Sequence, residues 1–117
     1  MARTAIAVQE IAYLGSGAIN FSAADATNGM MFPNDGRTVL LVKNDGTSAI
    51  TATVVSVADE YGRTGDIAPT VAAGEIRIIG PLRSGLFNQK NGADQGKVYV
   101  NFSADTNVKV AAVRLNF

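Results

Sequence analysis

The chain has no cysteine, no histidine and no tryptophan among its 117 residues. Without cysteine there is no thiolate nucleophile, no disulfide framework and no Cys-type zinc or iron–sulfur site. Without histidine, the commonest general base and the commonest transition-metal ligand are both missing. Ser-His-Asp and Cys-His machinery are therefore excluded, and only carboxylate, Lys or Tyr chemistry remains. Net charge is lacking too: ten Lys+Arg balance ten Asp+Glu. A protein that bound nucleic acid mainly by neutralising phosphates would need a basic excess, so no nucleic-acid partner is expected. No run approaches the roughly 20 apolar residues of a spanning helix, and no membrane partner is expected. The opening Met1-Ala2-Arg3-Thr4-Ala5-Ile6 meets polar Gln9 and Glu10 too soon to read as a signal peptide.

What is present is a 12.2 kDa chain with 47% hydrophobic residues. That suits one domain with a core large enough to need neither metal nor disulfide. Residues 1–17 are expected to form an N-terminal arm, ending at the break Gly15-Ser16-Gly17, with the domain over residues 18–117. From residue 18 the pattern is strand, turn, strand. Residues 25–36 read as a long connection, since Asn28-Gly29, Phe32-Pro33 and Asn34-Asp35-Gly36 are all turn chemistry. Residues 37–43 are β-branched and apolar on both faces, as in a strand covered on two sides. Asn44-Asp45-Gly46-Thr47 is the strongest hairpin signal, followed by a strand over 49–57.

Further along, Pro69 places the short strand 67–71 at a sheet edge. In Glu75-Ile76-Arg77-Ile78-Ile79 the residues Ile76 and Ile78 face one way, Glu75 and Arg77 the other. Residues 86–88 are a brief strand candidate. In residues 97–102, Val98, Val100 and Phe102 point inward. A last strand covers 108–117. Seven or eight short antiparallel strands, with turn signals between them, indicate an all-β fold. Eight suit a single jelly-roll-like β-sandwich; seven would suit an immunoglobulin-like one.

The motifs with chemical readings are few. Gly15-Ser16-Gly17 lacks the following helix and third glycine of a dinucleotide fingerprint and reads as a joint. Asp59, Glu60 and Asp66 share a loop and could offer oxygen ligands to Ca²⁺, but the alternating acidic spacing is missing and Arg63 intrudes. The segments Asn20-Phe21-Ser22-Ala23-Ala24-Asp25 and Asn101-Phe102-Ser103-Ala104-Asp105 are alike, without making a repeat architecture. Asp25, Asp35, Asp45, Asp94 and Asp105 stand in turn-like settings, where Asp serves its local backbone. No catalytic, cofactor-binding or metal residue is assigned, no cofactor is expected, and the protein is read as no enzyme. Contact residues are instead sought among apolar side chains. Ile6, Val8, Ile11 and Tyr13 belong to the arm. Met30, Met31 and Phe32 interrupt a turn-like connection, and Leu86 and Phe87 flank another. The Met30-Met31-Phe32 cluster, and likewise Leu82, Leu86 and Phe87, reads equally as a plug closing the sandwich or as an interface, whereas the arm residues would contact a partner by adding a strand to an exposed sheet edge.

Residues 34–44 (Asn-Asp-Gly-Arg-Thr-Val-Leu-Leu-Val-Lys-Asn), 49–54 (Ala-Ile-Thr-Ala-Thr-Val) and 71–81 (Val-Ala-Ala-Gly-Glu-Ile-Arg-Ile-Ile-Gly-Pro) resemble small structural proteins of tailed bacteriophages. The similarity spans roughly residues 18–117. Such proteins are commonly capsid decoration, or cement, proteins: they sit outside the head, often as trimers, and clamp neighbouring major capsid subunits. The resemblance thus implies a virion location on the capsid exterior after assembly in a host cytoplasm. It implies the major capsid protein as partner, and a homo-oligomer, with a trimer favoured. It supplies no functional residues. A tail, collar or fibre component, or a small sandwich binding sugar or calcium, are the alternative expectations.

Overall fold

Short runs of β-branched residues, each bounded by Gly, Asn or Asp, cannot complete a helix and do pair as strands. A computed structural model of the chain describes residues 3–11, 19–58, 61–62 and 64–115. It contains β1 (Thr4–Ala5), β2 (Val8–Ile11), β3 (Ser22–Ala23), β4 (Met30–Pro33), β5 (Thr38–Asn44) and β6 (Ile50–Val54). After these come β7 (Thr70–Val71), β8 (Ile76–Ile79), the single helical turn α1 (Ser84–Phe87), β9 (Lys97–Phe102) and β10 (Val108–Leu115).

Two five-stranded sheets pack face to face as a β-sandwich. The first has the order β1-β4-β9-β6-β7. The second runs β2-β10-β5-β8, and β3 pairs with β10 ahead of β2. From β3 onward every connection changes sheet, except that between β6 and β7. The core lies between the sheets and is built from Phe32, Leu40, Val42, Val98, Val100 and Val110, all fully buried. Each such side chain contributes roughly 1.5–3 kcal/mol through apolar area removed from water.

Several expectations are met. β5 is covered on both faces: Leu40 and Val42 enter the main core, while Leu41 is buried on the outer side. Val98, Val100 and Phe102 point inward. β7 is an edge strand, with Pro69 just before it giving its C=O to Ala52 N–H.

Others are corrected. The sandwich is not purely antiparallel, because β1 runs parallel to β4 and β2 parallel to β10. Residues 3–11 are accordingly part of the sandwich and not an arm outside it. β1 extends one sheet and β2 the other, and Ile6 drops into the core where the chain crosses between them. The Asn44-Asp45-Gly46-Thr47 turn is no hairpin: it carries the chain from β5 in one sheet to β6 in the other. The reason is Asn44 itself. Its buried side chain accepts Gly46 N–H and donates to the carbonyls of Ser48 and Val71, which folds the segment across the sandwich end. β4 forms inside the expected connection 25–36, since Met30 and Phe32 bury enough apolar area to override flanking turn residues. The strand expected at 86–88 is instead α1, and Asn88 makes only an isolated bridge to Val98.

Candidate interaction surface

The apolar residues proposed from sequence as contacts are placed mostly inside. Ile6, Met30, Phe32 and Phe87 are buried in the core of the chain and present almost no surface to a partner. Met31, Val8 and Leu86 are part-buried, and the latter two pack against that core. Tyr13 and the side chain of Ile11 lie outside the described residues, as do Gly15-Ser16-Gly17. Alternation explains the outcome: on β4, Met30 and Phe32 share the inward face and Met31 the other.

The exposed apolar residues lie elsewhere. On β8, Ile79 faces the core with Leu40 opposite it, so Ile76 and Ile78 must face outward. They are 52% and 67% exposed. Ile78 stands opposite Leu41, which stands opposite Ala111, and beside this row lie Val113, Val39 and Phe21. The outer face of the second sheet is therefore apolar from its β8 edge to its middle. Lys43 borders it, opposite Ile76, with its ammonium 5.7 Å from the Phe21 ring centroid. The alternation in residues 75–79 was legible in sequence; which face meets the core was not, because Arg77 sits on the inward side beside Ile79. Arg77 escapes burial by lying at the sheet edge, where its guanidinium reaches Glu75 Oε1 at 3.0 Å. Glu75 also accepts Ala72 N–H, and that bond, followed by the one from Arg77, holds its carboxyl below the usual carboxylate range.

A cleft of about 320 Å³ opens at the other edge of the same sheet, between β2, β10 and the β4–β5 turn. Arg114 dominates it, with Nε 2.6 Å from Asp35 Oδ2 and Nη1 3.0 Å from Glu10 Oε1. The hydrogen bond from Arg114 holds the Asp35 carboxyl below its usual value, and the same bond raises the guanidinium further. With both carboxylates engaged, the cation is neutralised inside the chain. This cluster ties β2 and β10 to the β4–β5 turn and leaves no charge available for an anionic ligand.

Among the described residues, Asp25, Asp66, Asp94 and Asp105 hold turns and loops in place. Asp25 accepts from Thr4 Oγ1, from the backbone N–H of Thr27 and Asn28, and from Asn28 Nδ2. Asp105 accepts Ala26 N–H. Asp94 accepts the Tyr99 hydroxyl, which raises the phenol above its usual value. Asp66 accepts both the N–H and the hydroxyl of Ser56, and Asp59, Glu60 and Arg63 lie outside the described residues. No group of three or more acidic side chains gathers among the described residues. The two Asn-Phe-Ser segments are not structural equivalents, since Phe21 packs on the outer face and Phe102 in the core. Compared with known proteins, the chain matches no family model, no curated protein and no solved structure.

Proposed function

We propose that this protein is a structural component of a tailed-bacteriophage virion: a head decoration protein that binds the capsid exterior and braces neighbouring major capsid subunits. The observation that carries the reading is the apolar outer face of the second sheet, where Ile76 and Ile78 stand exposed beside Leu41 and Phe21. Large aliphatic side chains held out on a rigid sheet are what an adhesive protein needs, and they require no titrating group. Zero net charge suits the close spacing of many copies on one coat.

Strand order supports the jelly-roll part of the reading. Leaving aside β1 and β2, β3-β10-β5-β8 packs on β4-β9-β6-β7, and every neighbouring pair is antiparallel. The sheet-changing connections are those of a double-sheet jelly roll, an architecture used in viral capsids. The partner is then the major capsid protein, the assembly a homo-oligomer, and the place of assembly a host cytoplasm.

The test is binding to expanded empty heads of the phage that encodes the chain. The protein should co-sediment with them and raise their disruption temperature, and Ile76→Glu with Ile78→Glu should abolish both effects. Failure to co-sediment across several salt concentrations overturns the proposal. A few tens of copies per particle, in place of hundreds, would move it to the tail or collar.

A further inference from the structure

We propose that two copies of this chain join through β8, edge to edge and antiparallel, with Ile76 of each copy opposite Ile76 of the other. The inference does not depend on the capsid reading. It is a two-fold association, distinct from the threefold one that the phage resemblance implies.

β8 ends its sheet, with β5 on one side and no strand on the other among the described residues. The ladder tells which backbone groups that open edge presents. Gly74, at φ +78°, gives its N–H to Asn44 C=O, while Asn44 N–H donates to Glu75 C=O. This is a bulge with glycine in the left-handed position, and it sets the register of β8 against β5. Bonded and non-bonded pairs alternate along an antiparallel ladder. Arg77 opposite Val42 and Ile79 opposite Leu40 are therefore the bonded pairs. Ile76 and Ile78 direct their N–H and C=O groups away from β5, and an open edge of this kind is a template for another strand.

Charge chooses the occupant and the register. The edge reads Gly74-Glu75-Ile76-Arg77-Ile78. A second copy running antiparallel, centred on Ile76, sets Glu75 opposite the partner's Arg77 and Arg77 opposite the partner's Glu75. Ile78 then lies past the end of the partner's strand, beside its turn at Gly74, where the space around the glycine leaves room for it. The outward N–H and C=O of the two Ile76 residues face one another, and the four isoleucines form one apolar strip. Centring on Arg77 instead would oppose two guanidinium groups, which is unfavourable at the short cross-strand distance. Shifting by one residue would turn the exposed isoleucines to opposite faces. The intrachain Glu75–Arg77 pair is exposed and so worth little alone; in the dimer each group faces a partner across the seam.

The experiment uses the full chain in two charge variants, Glu75→Arg and Arg77→Glu, with molar mass measured by sedimentation equilibrium. The wild type should form a dimer. Each variant alone should associate about tenfold more weakly or worse, because like charges then meet across the seam. An equimolar mixture of the two should regain dimers, since arginines of one face glutamates of the other. Mixing cannot restore the intrachain pair, so recovery reports the interface alone. Ile78→Lys, at a side chain outside the core, should also be monomeric, with the melting temperature that the wild type shows once diluted below its dimer dissociation constant. A wild type that stays monomeric at its solubility limit, a trimer, or a mixture that behaves as its separate components would each overturn the proposal.

Discussion

Arg3 lies over the ring of Tyr99, its guanidinium carbon 4.1 Å from the ring centroid. The same group donates to Asn101 Oδ1 at 2.8 Å. Through these contacts β1 is fastened to β9, a strand with which it shares no backbone ladder. The fastening needs bare backbone at Gly29, which has φ +73° and where a methyl would stand 2.5 Å from Arg3 Nη1. Gly29→Ala is expected to displace Arg3 and to destabilise the protein by about 1–2 kcal/mol from left-handed strain alone. Arg3→Ala, which keeps the glycine, should lower stability by only about 0.5–1 kcal/mol. Urea midpoints of the two variants check the order.

The first residues should also be needed for stability. Ile6 is 2% exposed between the sheets. Ile6→Ala is expected to cost about 2–5 kcal/mol, the range for emptying a core site. Ile78→Ala, on the outer face, should stay within about 0.5 kcal/mol of wild type when the chain is monomeric. Equal losses in the two variants would contradict the placement of Ile6.

Asp25 links β1 to the turn before β4, and its protonation should loosen that link. The bond from Thr4, followed by those from Asn28 and Thr27, lowers its pKa from 3.8 to about 2. A depressed carboxyl stabilises the fold fully above its unfolded value and loses that contribution as pH falls through the folded one. Wild type should therefore lose stability between about pH 4 and pH 2, and Asp25→Asn should be less stable above that window and show a shallower slope across it. Denaturation midpoints across the acid range give the comparison.

Thr38 offers the opposite case. Its Oγ1 is buried and has no hydrogen-bond partner among the described residues. Thr38→Val keeps the shape and removes the stranded hydroxyl, so it should leave stability unchanged or raise it by about 1 kcal/mol. A loss of that size would show that the hydroxyl is satisfied in solution.

The strand content was legible where the strands were long. β5, β9 and β10 each read as strands from the sequence, but only β9 alternates cleanly enough to mark its inward face; β5 and β10 carry apolar residues on both faces. β1, β2 and β4 were hidden, for different reasons. β1 and β2 are short and change sheet at Ile6, so no single period runs through residues 4–11. β4 is framed by Asn28-Gly29 and Pro33-Asn34, and only tertiary burial of Met30 and Phe32 decides its state. The Asn44 turn shows a third limit. Asn-Asp-Gly specifies a reversal of direction, and whether the chain then pairs with its own strand or crosses to the opposite sheet is settled by the carbonyls of Ser48 and Val71, which lie outside the motif. The exposed apolar face was missed for a related reason: Ile76 and Ile78 outweigh Arg77 in hydropathy, but Ile79 is the residue that finds the core.

β10 lies in the middle of its sheet, with β5 on one edge and both β2 and β3 on the other. Every one of those neighbours is made earlier on the ribosome and waits for residues 108–115 to emerge. A chain stopped before them lacks the strand that joins β5 to β2 and β3, so the second sheet has no continuous ladder. Folding is thereby deferred until translation has passed the last strand. The pairing of residues so far apart in sequence then sets a rate at the slow end of small single-domain proteins.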